Sequence, residues 1–180
     1  MTNLKCDHEL VKSEIKGVAV ERCSKCNGIW FDRDELRKAK DSTDEDLRFL
    51  DFEIFDTKNK KIQKGESSCP KCGTKMETLE YMNSGVKIDR CSSCHGVFLD
   101  KGEFKKIISF LENLIISKSS GEYLKDTGEE LKEILTGPED TISEIKDFLA
   151  VLNLLELKIQ AEHPKVSEML ITFARSWPIR

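Results

Sequence analysis

Seven cysteines occur in the chain, and every one belongs to a pattern that appears twice. The second copy opens with Cys69-Pro70-Lys71-Cys72 and closes with Cys91-Ser92-Ser93-Cys94-His95-Gly96. The first closes with Cys23-Ser24-Lys25-Cys26-Asn27-Gly28 but opens on Cys6-Asp7-His8, with a single cysteine. Each C-x-x-C turn points two thiolates at one place, and two such turns about 15–20 residues apart supply a tetrahedral donor set of the kind zinc prefers. The second copy therefore predicts a closed site of Cys69, Cys72, Cys91 and Cys94. The first predicts a site of Cys6, His8, Cys23 and Cys26, in which the His8 imidazole replaces the missing thiolate. Glu9 stands where a second cysteine would be and is the alternative donor. Two zinc ions are expected.

Other cysteine chemistries fit less well. The odd count, the regular C-x-x-C pairs and the lack of a signal peptide argue against a secreted disulfide scaffold. Four soft thiolates also suit an iron–sulfur cluster, but no βαβ pattern surrounds any C-x-x-C to make it a thioredoxin-like redox pair. His95 follows a ligand cysteine where the other copy has Asn27, which argues for a supporting place rather than ligation. A catalytic zinc needs three protein ligands and an open position. Only the first copy could offer that, with water in place of His8 and Glu9 close by. No other nucleophile–base set or phosphate-cradling glycine loop is visible.

The repeat extends beyond the ligands. With an offset of 68 positions, which carries Cys23 onto Cys91, Gly17 to Arg22 lie over Gly85 to Arg90. Both stretches alternate apolar and polar residues, as half-buried strands do. Gly17 and Gly85 then mark hairpin turns that need a positive φ. Gly28 and Gly96 are expected to let the knuckle backbone turn around the metal. Downstream, Trp30 lies over Phe98; such aromatics can stack on a nucleic-acid base, but more often fill the small core beneath the metal. Asp32-x-x-Glu35 and Asp100-x-x-Glu103 have the form of a helix N-cap with an acidic residue three positions on. Each unit is thus a metal-held β-hairpin, a knuckle and a short helix.

Cys69-Pro70-Lys71-Cys72, Cys91 through Phe104 and Cys23 through Leu36 together resemble the transcription-factor-IIB-like zinc-ribbon domain of many small prokaryotic proteins. An extra residue gives the order Gly-x-[Trp/Phe]-x-Asp, and the first copy lacks the opening C-P-x-C, which bears on the stability of that ribbon. The resemblance covers about half the chain. It implies a fold and a metal, and a non-catalytic role in binding nucleic acid or the transcription or translation machinery.

The fold class expected is small, α+β and zinc-stabilised: ribbon 1 over residues 1–40, a helical segment and linker over 41–68, ribbon 2 over 69–106, and an α-helical region over 107–180. Within 41–68, Asp41 to Asp46 predicts a capped helix start. Leu47, Phe49, Leu50, Phe52, Ile54 and Phe55 should pack, on a ribbon in the first instance, and Lys58 to Ser68 is the polar connector. In the tail, Gly121 and Gly128 flank a weak helix at Glu129–Leu135. A stronger helix capped by Asp140 or Thr141 ends near His163-Pro164, and a last one runs from Val166 to Arg175. Ile145, Phe148, Leu152, Leu155 and Ile159 fit an a/d seam, widened by Leu149 and Leu154; such a stripe is expected to form an intrachain helical core, with a homodimer or partner surface over residues 141–161 as the alternative.

Composition sets the outer bounds. The formal charge is −4. Residues 1–40 and 69–106 are each about +2 and residues 107–180 about −5. Lysines cluster only locally, at Lys58, Lys60, Lys61 and Lys64 and at Lys101, Lys105 and Lys106, so the basic face usual in a nucleic-acid binder is weak. Ribbons this small need metal to supply folding free energy that burial alone cannot. No stretch is long enough to span a membrane, and reduced cysteines without a targeting segment point to the cytoplasm. The partner expected is a macromolecule, either nucleic acid or protein. Two alternatives stand beside a nucleic-acid module: an acidic protein adaptor acting through the tail, and a redox or zinc sensor using the irregular first site.

Overall fold

A computed structural model describes residues 9–50, 54, 62–136 and 141–176. The chain forms two compact units, one of residues 1–45 with 50–113 and one of residues 46–49 with 114–180. The first is built on a seven-stranded antiparallel sheet: β1 Leu10–Ile15, β2 Val18–Cys23, β3 Ile29–Phe31, β4 Gln63–Ser68, β5 Lys75–Glu80, β6 Lys87–Arg90 and β7 Val97–Leu99, in the spatial order β1-β2-β3-β7-β6-β5-β4. A two-residue turn joins β1 and β2, with Lys16 at φ 48° and Gly17 at φ 84°. That pair of positive values matches the right-handed twist of a tight hairpin. Gly85 also takes a positive φ, 74°, as its place before β6 predicts.

The two ribbons share this sheet. Strand β3 of the first pairs with β7 of the second: Trp30 lies opposite Phe98, Ile29 opposite Leu99 and Phe31 opposite Val97. Since Trp30 and Phe98 are equivalent in the repeat, the ribbons meet about a local pseudo-twofold axis at that pair. All six of these residues are buried. Joining the strands this way removes two edges that a lone ribbon would leave unpaired.

A short helix follows each knuckle: α1 Glu35–Thr43 and α2 Glu103–Ser117. Their first turns show the reciprocal half of the expected capping box. The Glu35 carboxylate accepts the Asp32 N–H at 2.8 Å and the Glu103 carboxylate accepts the Asp100 N–H at 2.7 Å. The forward half of the box is absent at α1: its N-cap is Asp34, in a left-handed conformation with no side-chain cap bond. The Asp32 carboxylate instead accepts the Trp30 indole N–H at 2.7 Å. Leu36 and Ala39 of α1 and Ile107, Ile108 and Leu111 of α2 are buried, and Phe31 meets Phe104 at 5.7 Å between ring centroids.

The buried side chains of Arg90, Asp89, Ser67 and Lys40 are paired. The Arg90 guanidinium meets Glu77 at 2.8 Å and donates to the Ile54 carbonyl. The Asp89 carboxylate accepts Ser67 Oγ at 3.2 Å and Thr78 Oγ1 at 2.5 Å. Lys40 donates to the Leu50 carbonyl at 3.2 Å and meets Asp41 at 2.9 Å.

The segment between the ribbons departs from its sequence pattern. Asp41 to Asp46 does not open a helix; α1 ends there at Thr43, and a single 3-10 turn, Glu45–Leu47, follows. Acidic residues serve a cap or a turn equally well, and the apolar face of α1 runs out at Lys40. Residues 63–68 form strand β4 rather than connector, because their backbone pairs with β5 although the side chains are polar. Leu47, Phe49 and Leu50 are buried as expected, but Leu47 and Phe49 belong to the helical unit rather than to a ribbon. Phe52, Phe55 and Lys58 to Lys61 lie outside the described residues.

The second unit contains α3 Ser120–Thr136, α4 Thr141–Glu162 and α5 Pro164–Ser176. A capping box opens α3: Ser119 Oγ accepts the Glu122 N–H at 3.4 Å, and the Glu122 carboxylate accepts the Ser119 N–H at 2.8 Å. This start carries Gly121 and Gly128 inside the helix instead of at its flanks. Tyr123 is fully buried beside Phe49, 6.1 Å between centroids, and its hydroxyl donates to the Ile115 carbonyl at 2.9 Å. Burial, reinforced by Asp126 and Asp46, pushes its phenol up to about 12. On α4 the buried line runs through Asp147, Val151, Leu154 and Leu155. Of the residues in and beside the a/d seam, Leu154 and Leu155 are buried, whereas Ile145, Leu149 and Leu152 are exposed. No helix among the described residues is long and apolar enough to cross a membrane.

Candidate metal centre

Three knuckles share one backbone design. In each, the first cysteine donates its N–H to a carbonyl five residues on: Cys69 to Thr74 at 2.8 Å, Cys91 to Gly96 at 2.9 Å and Cys23 to Gly28 at 2.9 Å. Its carbonyl accepts the N–H four residues on, from Gly73, His95 and Asn27. The residue that donates this N–H is left-handed in all three, at φ 74°, 60° and 58° respectively. The result corrects the role expected of Gly28 and Gly96. The turn is made by Asn27 and His95, and asparagine tolerates this region better than most residues. Gly73 holds the equivalent place after Cys72, so comparing the three knuckles with one another would have shown the assignment.

Gly28 and Gly96 are glycines for a different reason. A Cβ on Gly96 would lie 2.0 Å from Cζ2 of Trp30, and a Cβ on Gly28 would lie 2.3 Å from Cζ of Phe98. Each knuckle glycine is therefore covered by the aromatic ring of the other ribbon. Trp30, Cys69, Met76, Cys91 and Phe98 form one buried cluster, with Leu10 and Cys26 packed against it. The aromatics do fill a core beneath the cysteines, and that core is common to both ribbons.

The second donor set is assembled. The sulfurs of Cys69, Cys72, Cys91 and Cys94 all lie within 4.8 Å of one another, with Cys69 and Cys94 at 3.6 Å and Cys72 and Cys91 at 3.4 Å. A tetrahedral zinc with Zn–S near 2.3 Å requires sulfurs about 3.8 Å apart. Backbone N–H groups of Lys71 and Cys72 point at Cys69 Sγ, 3.4 and 3.5 Å away, and that of Cys94 at Cys91 Sγ, 3.5 Å away. Such donors stabilise thiolate charge. Burial pushes the Cys69 thiol up to about 12 and raises that of Cys94, while the Thr74 hydroxyl and backbone, followed by Cys91, bring Cys72 down to about 6. Buried sulfur next to sulfur resists full ionisation without a cation, so the set fits a divalent soft metal that neutralises two of the four charges. His95 lies outside this cluster.

The first set is described in part. Cys23 is buried and Cys26 half-buried on a knuckle matching that of Cys91 and Cys94. Cys6 and His8 lie outside the described residues. Glu9 is held beside this knuckle: its carbonyl accepts the Ser24 N–H at 3.0 Å and its carboxylate the Ser24 hydroxyl at 3.4 Å. None of the six described cysteines is in a disulfide.

Lys71, between Cys69 and Cys72, reaches across to the first ribbon and donates to Glu21 at 2.8 Å, with Asp32 at 3.8 Å. The Glu21 hydrogen bond raises its pKa despite partial burial. Nothing in the local pattern marks Lys71, because its partners come from another part of the chain.

No curated protein and no solved structure is similar enough to the chain to match it. The family model described as transcription factor zinc-finger matches at residues 5–42 and again at 68–109. These spans contain both cysteine sets, the paired hairpins and the helix starts. Over these two spans the chain matches, in tandem, the transcription factor zinc-finger family, of the transcription-factor-IIB-like zinc-ribbon type.

Proposed function

We propose that the protein is a non-catalytic zinc protein that acts by binding a macromolecule, with nucleic acid or the machinery that handles it as the partner. Two zinc ions are held, one by Cys69, Cys72, Cys91 and Cys94 and one by Cys6, His8, Cys23 and Cys26. The observation that carries this reading is the convergence of four sulfurs, which already provide a full tetrahedral shell and leave no position for substrate. Zinc there neutralises thiolate charge and fixes the two knuckles; the chain's own residues orient the sulfurs through the backbone N–H groups. The hydrogen bonds of Glu9 to Ser24 favour residues just before it as the remaining donors of the first site.

The test measures metal content and nucleic-acid binding on one preparation. Two zinc equivalents per chain are expected, with affinity for RNA or DNA that falls steeply as salt rises. One equivalent would remove the first site from the proposal. Absence of binding at low salt would overturn the nucleic-acid reading. A second reading, an acidic adaptor or homodimer working through the tail, is favoured by Ile145, Leu149 and Leu152, which are 43%, 55% and 40% exposed on α4. A sensor role would belong to the first site, and equal resistance of both metals to chelator and peroxide would count against it.

A further inference from the structure

The repeat places one aromatic in each ribbon, and the sheet hands each aromatic to the opposite knuckle. Trp30 belongs to the first ribbon by sequence, yet its ring lies against Gly96, and Gly96 accepts the N–H of Cys91 at 2.9 Å. It shares a buried cluster with Cys69 and Cys91. Phe98 belongs to the second ribbon, yet its ring lies against Gly28, which accepts the N–H of Cys23 at 2.9 Å. Cys26 packs on the same cluster. Trp30 has no slack for another position: it is fully buried, its indole N–H is committed to Asp32, and its main chain is paired opposite Phe98.

We propose that Trp30 is a positioning residue for the second metal site and Phe98 a positioning residue for the first, so that each ribbon sets how firmly the other holds its metal. The inference rests on the zinc reading above. A ring packed on the knuckle glycine keeps the carbonyl aimed at the cysteine N–H and keeps water from the buried sulfurs. Removing it leaves a void under the opposite pair of ligands and lets that knuckle open. Loading of one site then helps the other, because ordering either ribbon orders the strand that carries its partner's aromatic.

The experiment uses full-length chains in which one site at a time is disabled by changing its two second-knuckle cysteines to serine. Zinc release to a chromogenic chelator is followed for Trp30→Leu and Phe98→Leu in each background. Trp30→Leu is expected to speed release from Cys69, Cys72, Cys91 and Cys94 roughly tenfold or more, and Phe98→Leu to do the same at the Cys23–Cys26 site. Acceleration confined to the aromatic's own ribbon, or equal at both sites, would overturn the proposal. Should a leucine variant fail to fold, Trp30→Phe and Phe98→Tyr provide milder changes read the same way. As a second measurement, in a Trp177→Phe chain with Cys23 and Cys26 changed to serine, Trp30 emission should shift as cobalt(II) fills the second site. A silent Trp30 despite bound cobalt would refute the placement. Failure of the unsubstituted chain to bind metal at all would instead refute the zinc reading.

Discussion

Two positions in the knuckles are decided by single atoms. At Gly96, one added methyl collides with the Trp30 ring, and the colliding atoms belong to a rigid indole held at its N–H. Overpacking of this kind costs about 1–3 kcal/mol. Gly96→Ala should therefore lower the denaturant midpoint of the metal-loaded protein, whereas Gly17→Asn, in open space at a left-handed position, should change it little. Glu103 supplies a pH dependence. Burial, with the negative charges of Asp100 and Asp89, raises its carboxyl to about 7, against the pull of the Asp100 N–H it accepts. The folded chain then holds a proton that the unfolded chain releases above about 4.5, its ordinary value. The associated stability is complete below that value and is lost as pH rises through about 7. Glu103→Gln keeps the oxygen that caps α2 and removes the charge. It should match the parent chain near pH 5 and exceed it by about 1 kcal/mol near pH 8, after discounting for solvent screening. A stability difference that does not change between the two pH values would contradict this assignment.

At the scale of elements, the segment 46–49 is the clearest surprise. Phe49 lies beside Tyr123, the Lys118 ammonium stands 4.9 Å from the Phe49 ring centroid, and Arg48 Nε donates to the Asp147 carboxylate at 2.9 Å. The two charged side chains are 19% and 8% exposed, so the pair is largely withdrawn from water. Removing one partner of such a pair leaves the other charge buried, at a cost of about 3 kcal/mol or more. Arg48→Ala should accordingly destabilise the helical unit by that order. Thermal unfolding followed by helical circular dichroism would show it, and an unchanged midpoint would mean that the segment contributes no anchoring. The polar strand β4 teaches a related lesson: main-chain pairing with β5, not side-chain pattern, holds it in the sheet.

For the whole molecule, division into two units predicts a divided response to metal removal. Strands β1 to β7 lie over a core that includes ligand cysteines, whereas α3, α4 and α5 contain no cysteine. Stripping zinc with a strong chelator should abolish the amide-exchange protection of the sheet, because free thiolates repel and the ribbons bury too little apolar surface alone. Protection around Tyr123 and Val151 should survive. Loss of both together, read by hydrogen exchange on the stripped protein, would show that the units unfold as one. The shared sheet adds a further expectation: zinc titration into the stripped chain should recover both hairpins together.

What the sequence determined by itself was whatever one ribbon needs locally. The spacing of Cys69, Cys72, Cys91 and Cys94 encodes a tetrahedral donor set, and the alternation before Cys23 and Cys91 encodes the strands leading to it. Gly17 encodes a turn, since backbone sterics act within a few residues. The same holds for the helix boundary near His163-Pro164. Other features required partners far apart in the chain. The pairing of β3 with β7, the exchange of Trp30 and Phe98 between knuckles, the reach of Lys71 to Glu21 and the capture of residues 46–49 by the helices all depend on which surfaces meet. Gly28 and Gly96 show the difference most plainly. Their type was visible in the repeat, but the cause is the space taken by a ring some 68 residues away, and only the tertiary structure brings that ring to the knuckle.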